Sequence, residues 1–145
     1  MIKKFKKLTA DEIEVLIKAP VLVSVLAASK DKKISEDEKA EATKLAHLKT
    51  FTADPLLLPY YNEVEKNFTK YFVEIVRKYT PFNDEQTAEL KQEIDVANSI
   101  IGKLDKADAA TLYHSLAAYT EHVRKAEHNV FVDFLFPLPI KGVTY

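Results

Sequence analysis

The sequence contains no cysteine and only two glycines, Gly102 and Gly142, and its charges nearly cancel at a net −1. Each scarcity removes a class of chemistry. Without thiols there is no disulfide framework, no thiolate nucleophile and no zinc site built on sulfur, and the same absence fits a reducing compartment. Two isolated glycines cannot form a loop whose backbone approaches a phosphate closely, which excludes P-loop and dinucleotide-binding fingerprints. With 30% charged residues and almost no net charge, electrostatics predict neither a nucleic-acid binder nor an acidic scavenger of cations.

Long apolar runs are also missing. The stretch at residues 19–29 is too short for a bilayer, which needs about 20 residues. Lys3, Lys4, Lys6 and Lys7 resemble the basic part of a secretory signal, but Asp11, Glu12, Glu14 and Lys18 separate them from that apolar stretch. A signal joins the two directly. The expectation is a cytoplasmic protein without a membrane span, in which residues 1–8 form a frayed basic arm.

What is present is helical periodicity. At 145 residues and 47% hydrophobic content the chain predicts one domain, residues 1–145, with a substantial core. Thr9 with Glu12, and Ser35 with Glu38, have the spacing of capping boxes. A first helix is expected near residues 10–29, kinked or divided at Pro20, and apolar on all sides beyond it. A second, near 36–49, shows a narrow stripe of Ala42, Leu45 and Leu48. After a connector containing Pro55 and Pro59, a third near 60–79 places Tyr61, Val64, Phe68, Tyr71, Phe72, Ile75 and Tyr79 on one face. Asn83 and Gln86 cap a fourth near 84–104, with Leu90, Ile94, Ala97, Ile101 and Leu104 inward. The fifth starts near 106–108 and turns Leu112, Leu116, Tyr119, Val123, Ala126 and Val130 inward. No stretch alternates with the period of a strand. The fold expected is an all-α, compact bundle of five or more helices. Leu22-x-x-x-Leu26-Ala27-Ala28 recurs as Leu112-x-x-x-Leu116-Ala117-Ala118, a faint internal echo.

Residues 131–140 include Phe131, Val132, Phe134, Leu135, Phe136, Leu138 and Ile140, with Pro137 and Pro139 keeping the second part extended. Each large apolar side chain buried contributes roughly 1.5–3 kcal/mol, so this tail has to cover something. It is expected to pack across its own bundle, the alternative being a homodimer or partner surface.

The residues that carry chemistry elsewhere do not converge here. His114, Glu121 and His128 lie near one line on the fifth helix but about 10 Å apart, too far to share an ion. With His47 and His122 they make neither a His-x-x-x-His nor a Glu-x-x-His pair. The histidines are expected on exposed polar faces. In Glu121-His122 and Glu127-His128 the neighbours point about 100° apart, so they cannot cooperate on one proton. Ser24 and Ser99 lack the glycines of a nucleophile elbow. No catalytic motif and no cofactor site follows, and the chain reads as a non-enzyme.

One loop stands out, Asp31-Lys32-Lys33-Ile34-Ser35-Glu36-Asp37-Glu38. As a calcium loop it fails, because Lys33, Glu36 and Ala42 occupy the third, sixth and last positions. Its acids instead complement the positive end of a helix. Asp31, Glu36, Asp37 and Glu38 are the candidate ligands for a divalent cation.

Read together with the apolar helix before it, Leu26-Ala27-Ala28-Ser29-Lys30-Asp31-Lys32-Lys33-Ile34-Ser35-Glu36-Asp37-Glu38 resembles the TerB-like tellurite-resistance family. Those small helical domains carry Asp-Gly-x-Ile-Ser followed by a glutamate; here Lys32 stands where the glycine is found. The resemblance spans residues 16–48. It implies a cytoplasmic, stress-associated protein with acidic residues suspected of binding metal, and it implies no reaction. Three functions stay open: a module binding a partner or an ion, a homodimer formed through residues 131–140, and an enzyme or ligand carrier with a pocket near Tyr113, His114 or His47. A buried polar cluster would favour the third.

Overall fold

The computed structural model describes residues 5–28 and 36–127, with the side chains of 39–126 in the second stretch. Every regular element among them is helical: α1 (Ala10–Ala28), α2 (Glu36–Thr43), a π-helical turn (Lys44–Leu48), a 3-10 turn (Pro55–Leu57), α3 (Leu58–Tyr79), α4 (Asp84–Ile101) and α5 (Lys106–Glu127). Helix α1 is the axis, with α3, α4 and α5 packed around it and α2 lying against α3. No described helix is long and apolar enough to cross a membrane.

Local chemistry sets the helix starts. Thr9 Oγ1 accepts from the Glu12 amide at 3.1 Å while the Glu12 carboxylate accepts from the Thr9 amide at 3.0 Å, a complete capping box. Glu12 also pairs with Lys103, and these bonds hold its carboxyl below the usual carboxylate range. Asn83 accepts from the Gln86 amide at 2.9 Å at the head of α4. Pro59 falls in the first turn of α3, where its missing N–H costs no helix bond.

Helix α1 is not divided by Pro20; it runs through it, and every residue from Ala19 to Ala28 is buried. A proline inside a helix removes the amide that the carbonyl four residues earlier would accept from. That carbonyl belongs to Leu16, and the fully buried Tyr60 of α3 donates its hydroxyl to it at 2.6 Å. A side chain from a neighbouring helix replaces the lost bond.

Three further expectations need correction. The arm is not frayed throughout: Phe5 and Leu8 are buried, Leu8 N donates to Phe5 O at 3.0 Å, and the Phe5 ring sits edge-on to Tyr60. The lysines between them masked this pair. The inward face of α2 and its continuation is not Ala42 and Leu45, which are exposed, but Ala40, Thr43, His47 and Leu48. Two of these are polar and so escaped an apolar count. Ala126, expected on the inner stripe of α5, is exposed. Residues 131–140, Val130 and the Ser35 cap lie outside the described residues.

Tyr60→Phe is expected to destabilise the fold by about 1–3 kcal/mol in urea unfolding, the cost of a buried carbonyl left unpaired. Adding Pro20→Ala, which restores the amide, should recover part of that loss. A Pro20→Ala effect identical with and without Tyr60 would show that the two residues are not coupled.

Candidate functional site

The interior of the bundle carries a polar chain. Ser24 of α1, His47 of the π-helical turn and Tyr119 of α5 all have zero exposure. Ser24 Oγ lies 2.7 Å from the Tyr119 hydroxyl and 3.2 Å from His47 Nδ1. The π turn closes with Lys49 N donating to Lys44 O at 3.0 Å, a wider ring than an α turn, and such turns recur at special sites. Tyr119, Ser24 and His47 thus form one chain of hydrogen bonds, whose direction is set by which ring nitrogen of His47 carries the proton.

A serine beside a histidine is the pairing of nucleophilic catalysis. Here all three partners are enclosed, and a substrate cannot reach Ser24 in this conformation. The cluster ties together three elements distant in sequence. Tyr61 and Ser115, at 2.7 Å, add a second buried bond between α3 and α5.

The polar chain supports a more exposed feature. Phe51 follows the π turn in the connector to α3, and its ring lies 5.2 Å from Tyr119, 5.5 Å from Tyr61 and 5.6 Å from His122. Thr50 donates to Ala46 O at 2.7 Å, so its hydroxyl accepts from His122 Nε2 at 2.7 Å. The connector is thus pinned on both sides of the aromatic ring. Two open grooves flank it. The larger, about 430 Å³, lies between Phe51, Thr52 and Asp54 and the α5 residues Ala110, His114 and Ala118. The smaller, about 190 Å³, lies between Phe51, Leu58 and Tyr61. Leu56 and Leu58 stand exposed on the adjoining turn, at 63% and 49%.

The residues singled out from sequence are distributed as follows. Asp31 lies outside the described residues, and Glu36, Asp37 and Glu38 form the first turn of α2, their side chains also outside. Among the described residues no group of three or more His, Asp or Glu is placed to hold a metal ion. The histidines do not share one exposed face: His114 is exposed at the larger groove, His122 is half-buried against Phe51, and His47 is in the core. His128 lies outside. Glu121 forms surface pairs with Arg124 and Lys125, which hold its carboxyl below the usual range. Sequence reasoning dismissed Ser24 for its missing glycines. The signal it passed over was a lone serine within an all-round apolar helix, where a hydroxyl must find a partner.

Removing one member should cost more than removing a surface hydroxyl. Ser24→Ala is expected to destabilise by about 1–3 kcal/mol, and Tyr119→Phe to add little in that background because its hydrogen-bond partner is already gone. Strict additivity in a double-mutant cycle would refute the chain. A second outcome concerns alkaline pH. Burial pushes the Tyr60, Tyr61 and Tyr119 phenols above the ordinary value of 10.0, and burial together with the Glu93 carboxylate does the same to Tyr79. The unfolded chain loses these protons first, so their contribution is full below about pH 10 and falls above it, by up to about 1.4 kcal/mol per pH unit for each phenol. Phenolate absorbance from the four should appear together with loss of helical circular dichroism; their ionisation near pH 10 in an intact fold would contradict it.

No family model, no curated protein and no solved structure matches the chain, so its partners have to be read from its own geometry.

Proposed function

We propose that the chain is a non-enzymatic helical binding module whose ligand is an apolar, aromatic-bearing protein segment laid across the connector at Phe51. The observation that carries this reading is the pair of open grooves sharing the Phe51 ring as a wall, continued by exposed Leu56 and Leu58. A short extended segment turns every second side chain toward the same face, about 7 Å apart, which suits two cavities separated by one ring. Thr52, Asp54 and His114 supply a polar rim, and the ring wall is held by Thr50 and His122, so little ordering is left to binding.

The Ser24–His47–Tyr119 cluster is the kind of buried polar group that would favour an enzyme or ligand carrier, but all three side chains have zero exposure and join α1, the π turn and α5, so the reading here rests on the open grooves instead. The resemblance of residues 16–48 to TerB-like domains, which implies no reaction, favours a non-enzymatic role. In this reading residues 131–140 pack across the bundle, the homodimer being the alternative seat for them.

The test uses the labelled peptide Phe-Leu-Phe-Pro-Leu-Pro-Ile as probe. It is offered to a full-length variant carrying Phe134→Ser and Phe136→Ser, whose own tail no longer has that composition. Saturable binding is expected in the micromolar range, weakened at least tenfold by Ala118→Arg, which fills the larger groove from an exposed position. Val96→Arg, on exposed α4, should leave it unchanged. Absence of saturable binding, or equal binding by the Ala118→Arg protein, sinks the proposal.

A further inference from the structure

Resting on that reading, we propose that the occupant of the grooves is residues 131–140 of the same chain, bound in cis, so that an outside segment binds there only in competition with it. Three observations lead there. The first is reach. Helix α5 supplies one wall of the larger groove at His114 and ends at Glu127, about 20 Å further along its axis at 1.5 Å per residue. The nine residues from 128 to Phe136 span up to about 30 Å when extended, enough to turn back along α5 and place Phe134 or Phe136 beside Phe51.

The second is chemistry. Residues 134–140 read Phe-Leu-Phe-Pro-Leu-Pro-Ile, without a charge. Pro137 and Pro139 remove two backbone donors and favour an extended form that docks by side chains in aromatic-walled grooves. Phe51 lines both grooves, together with Tyr61 in one and the small residues Ala110 and Ala118 in the other.

The third is linkage. A segment joined to its site by a short linker that can span the distance experiences an effective concentration of about millimolar, well above that of a second copy in dilute solution. The same contacts therefore form within one chain before they form between two. The expected consequence is graded access: an outside segment binds only as far as it outcompetes the tail.

The chain has no cysteine, so a disulfide can be placed where it reports this contact alone. Full-length protein carrying Ala118→Cys and Phe136→Cys is oxidised mildly and read by mass spectrometry and non-reducing electrophoresis; a bond requires the two Cα atoms to approach within about 7 Å. The expected product is an internally linked monomer, formed at least tenfold faster than with the control pair Val96→Cys and Phe136→Cys. The unmodified chain should also bind the probe peptide at least tenfold more weakly than the Phe134→Ser, Phe136→Ser variant. A product linked between chains overturns the cis assignment in favour of an exchanged dimer, and a rate equal to the control overturns it altogether. If the tail variant binds the probe but neither the crosslink nor the affinity difference is seen, the tail assignment fails and the groove reading stands. If the tail variant does not bind the probe, the groove reading has failed first.

Discussion

The carbonyl of Leu16 has no amide of its own helix to accept from, because the residue four positions on is Pro20; the Tyr60 hydroxyl at 2.6 Å takes that place. The geometry of the domain depends on this substitution. Helix α1 is the element that α3, α4 and α5 pack around, and its second half is buried on every side. Were the chain to break at Pro20, that apolar half would lose its fixed direction and the faces of three helices their common partner. The bond also sets where α3 begins relative to α1, since Tyr60 lies in its first turn.

From that fixed axis the remaining polar contacts follow outward. Ser24 sits one turn beyond Pro20 and meets Tyr119 and His47; Tyr61, next to Tyr60, meets Ser115. Apolar packing alone tolerates sliding and rotation of helices at small cost, whereas a buried hydroxyl that loses its partner is penalised by about 1–3 kcal/mol. These bonds therefore act as register marks between α1, α3, α5 and the π turn. The wide turn at Lys44–Leu48 brings His47 inward and leaves Leu45 outside at 59% exposure.

The parts of this architecture visible in the sequence are those written in apolar periodicity and in short-range caps. All seven residues expected on the inner face of α3 are buried, as are the five expected for the fourth helix, of which Leu104 lies just beyond the end of α4, because hydrophobic spacing depends only on which side chains avoid water. The Thr9–Glu12 box and the Asn83 cap form within four residues and need no tertiary knowledge. What stayed hidden depends on partners far along the chain. Pro20 reads as a break until Tyr60 is placed beside Leu16, His47 reads as surface until Ser24 faces it, and Phe5 and Leu8 read as part of a solvated arm until Tyr60 covers Phe5. The groove is less legible still: its wall is a single phenylalanine in a connector, with no periodic neighbours to announce it. His114 was suspected near a pocket and does line the larger groove, but its role there depends on Phe51 and Asp54, more than fifty residues away.

The proposed binding site follows from the contrast between the enclosed cluster and the open grooves. Ser24, His47 and Tyr119 offer more chemistry, yet exposing them would break bonds that hold α1, the π turn and α5 in register. Phe51 offers one ring, but that ring rests on Tyr119 and Tyr61 and its connector is tied to α5 through Thr50 and His122. The buried polar chain and the surface site thus share Tyr119. A groove wall fixed from below needs no reordering when a segment lands on it, so the free energy of apolar contact is not spent on shaping the site. On the proposed reading the core hydroxyls contribute to recognition indirectly, by holding the rings on which Phe51 rests.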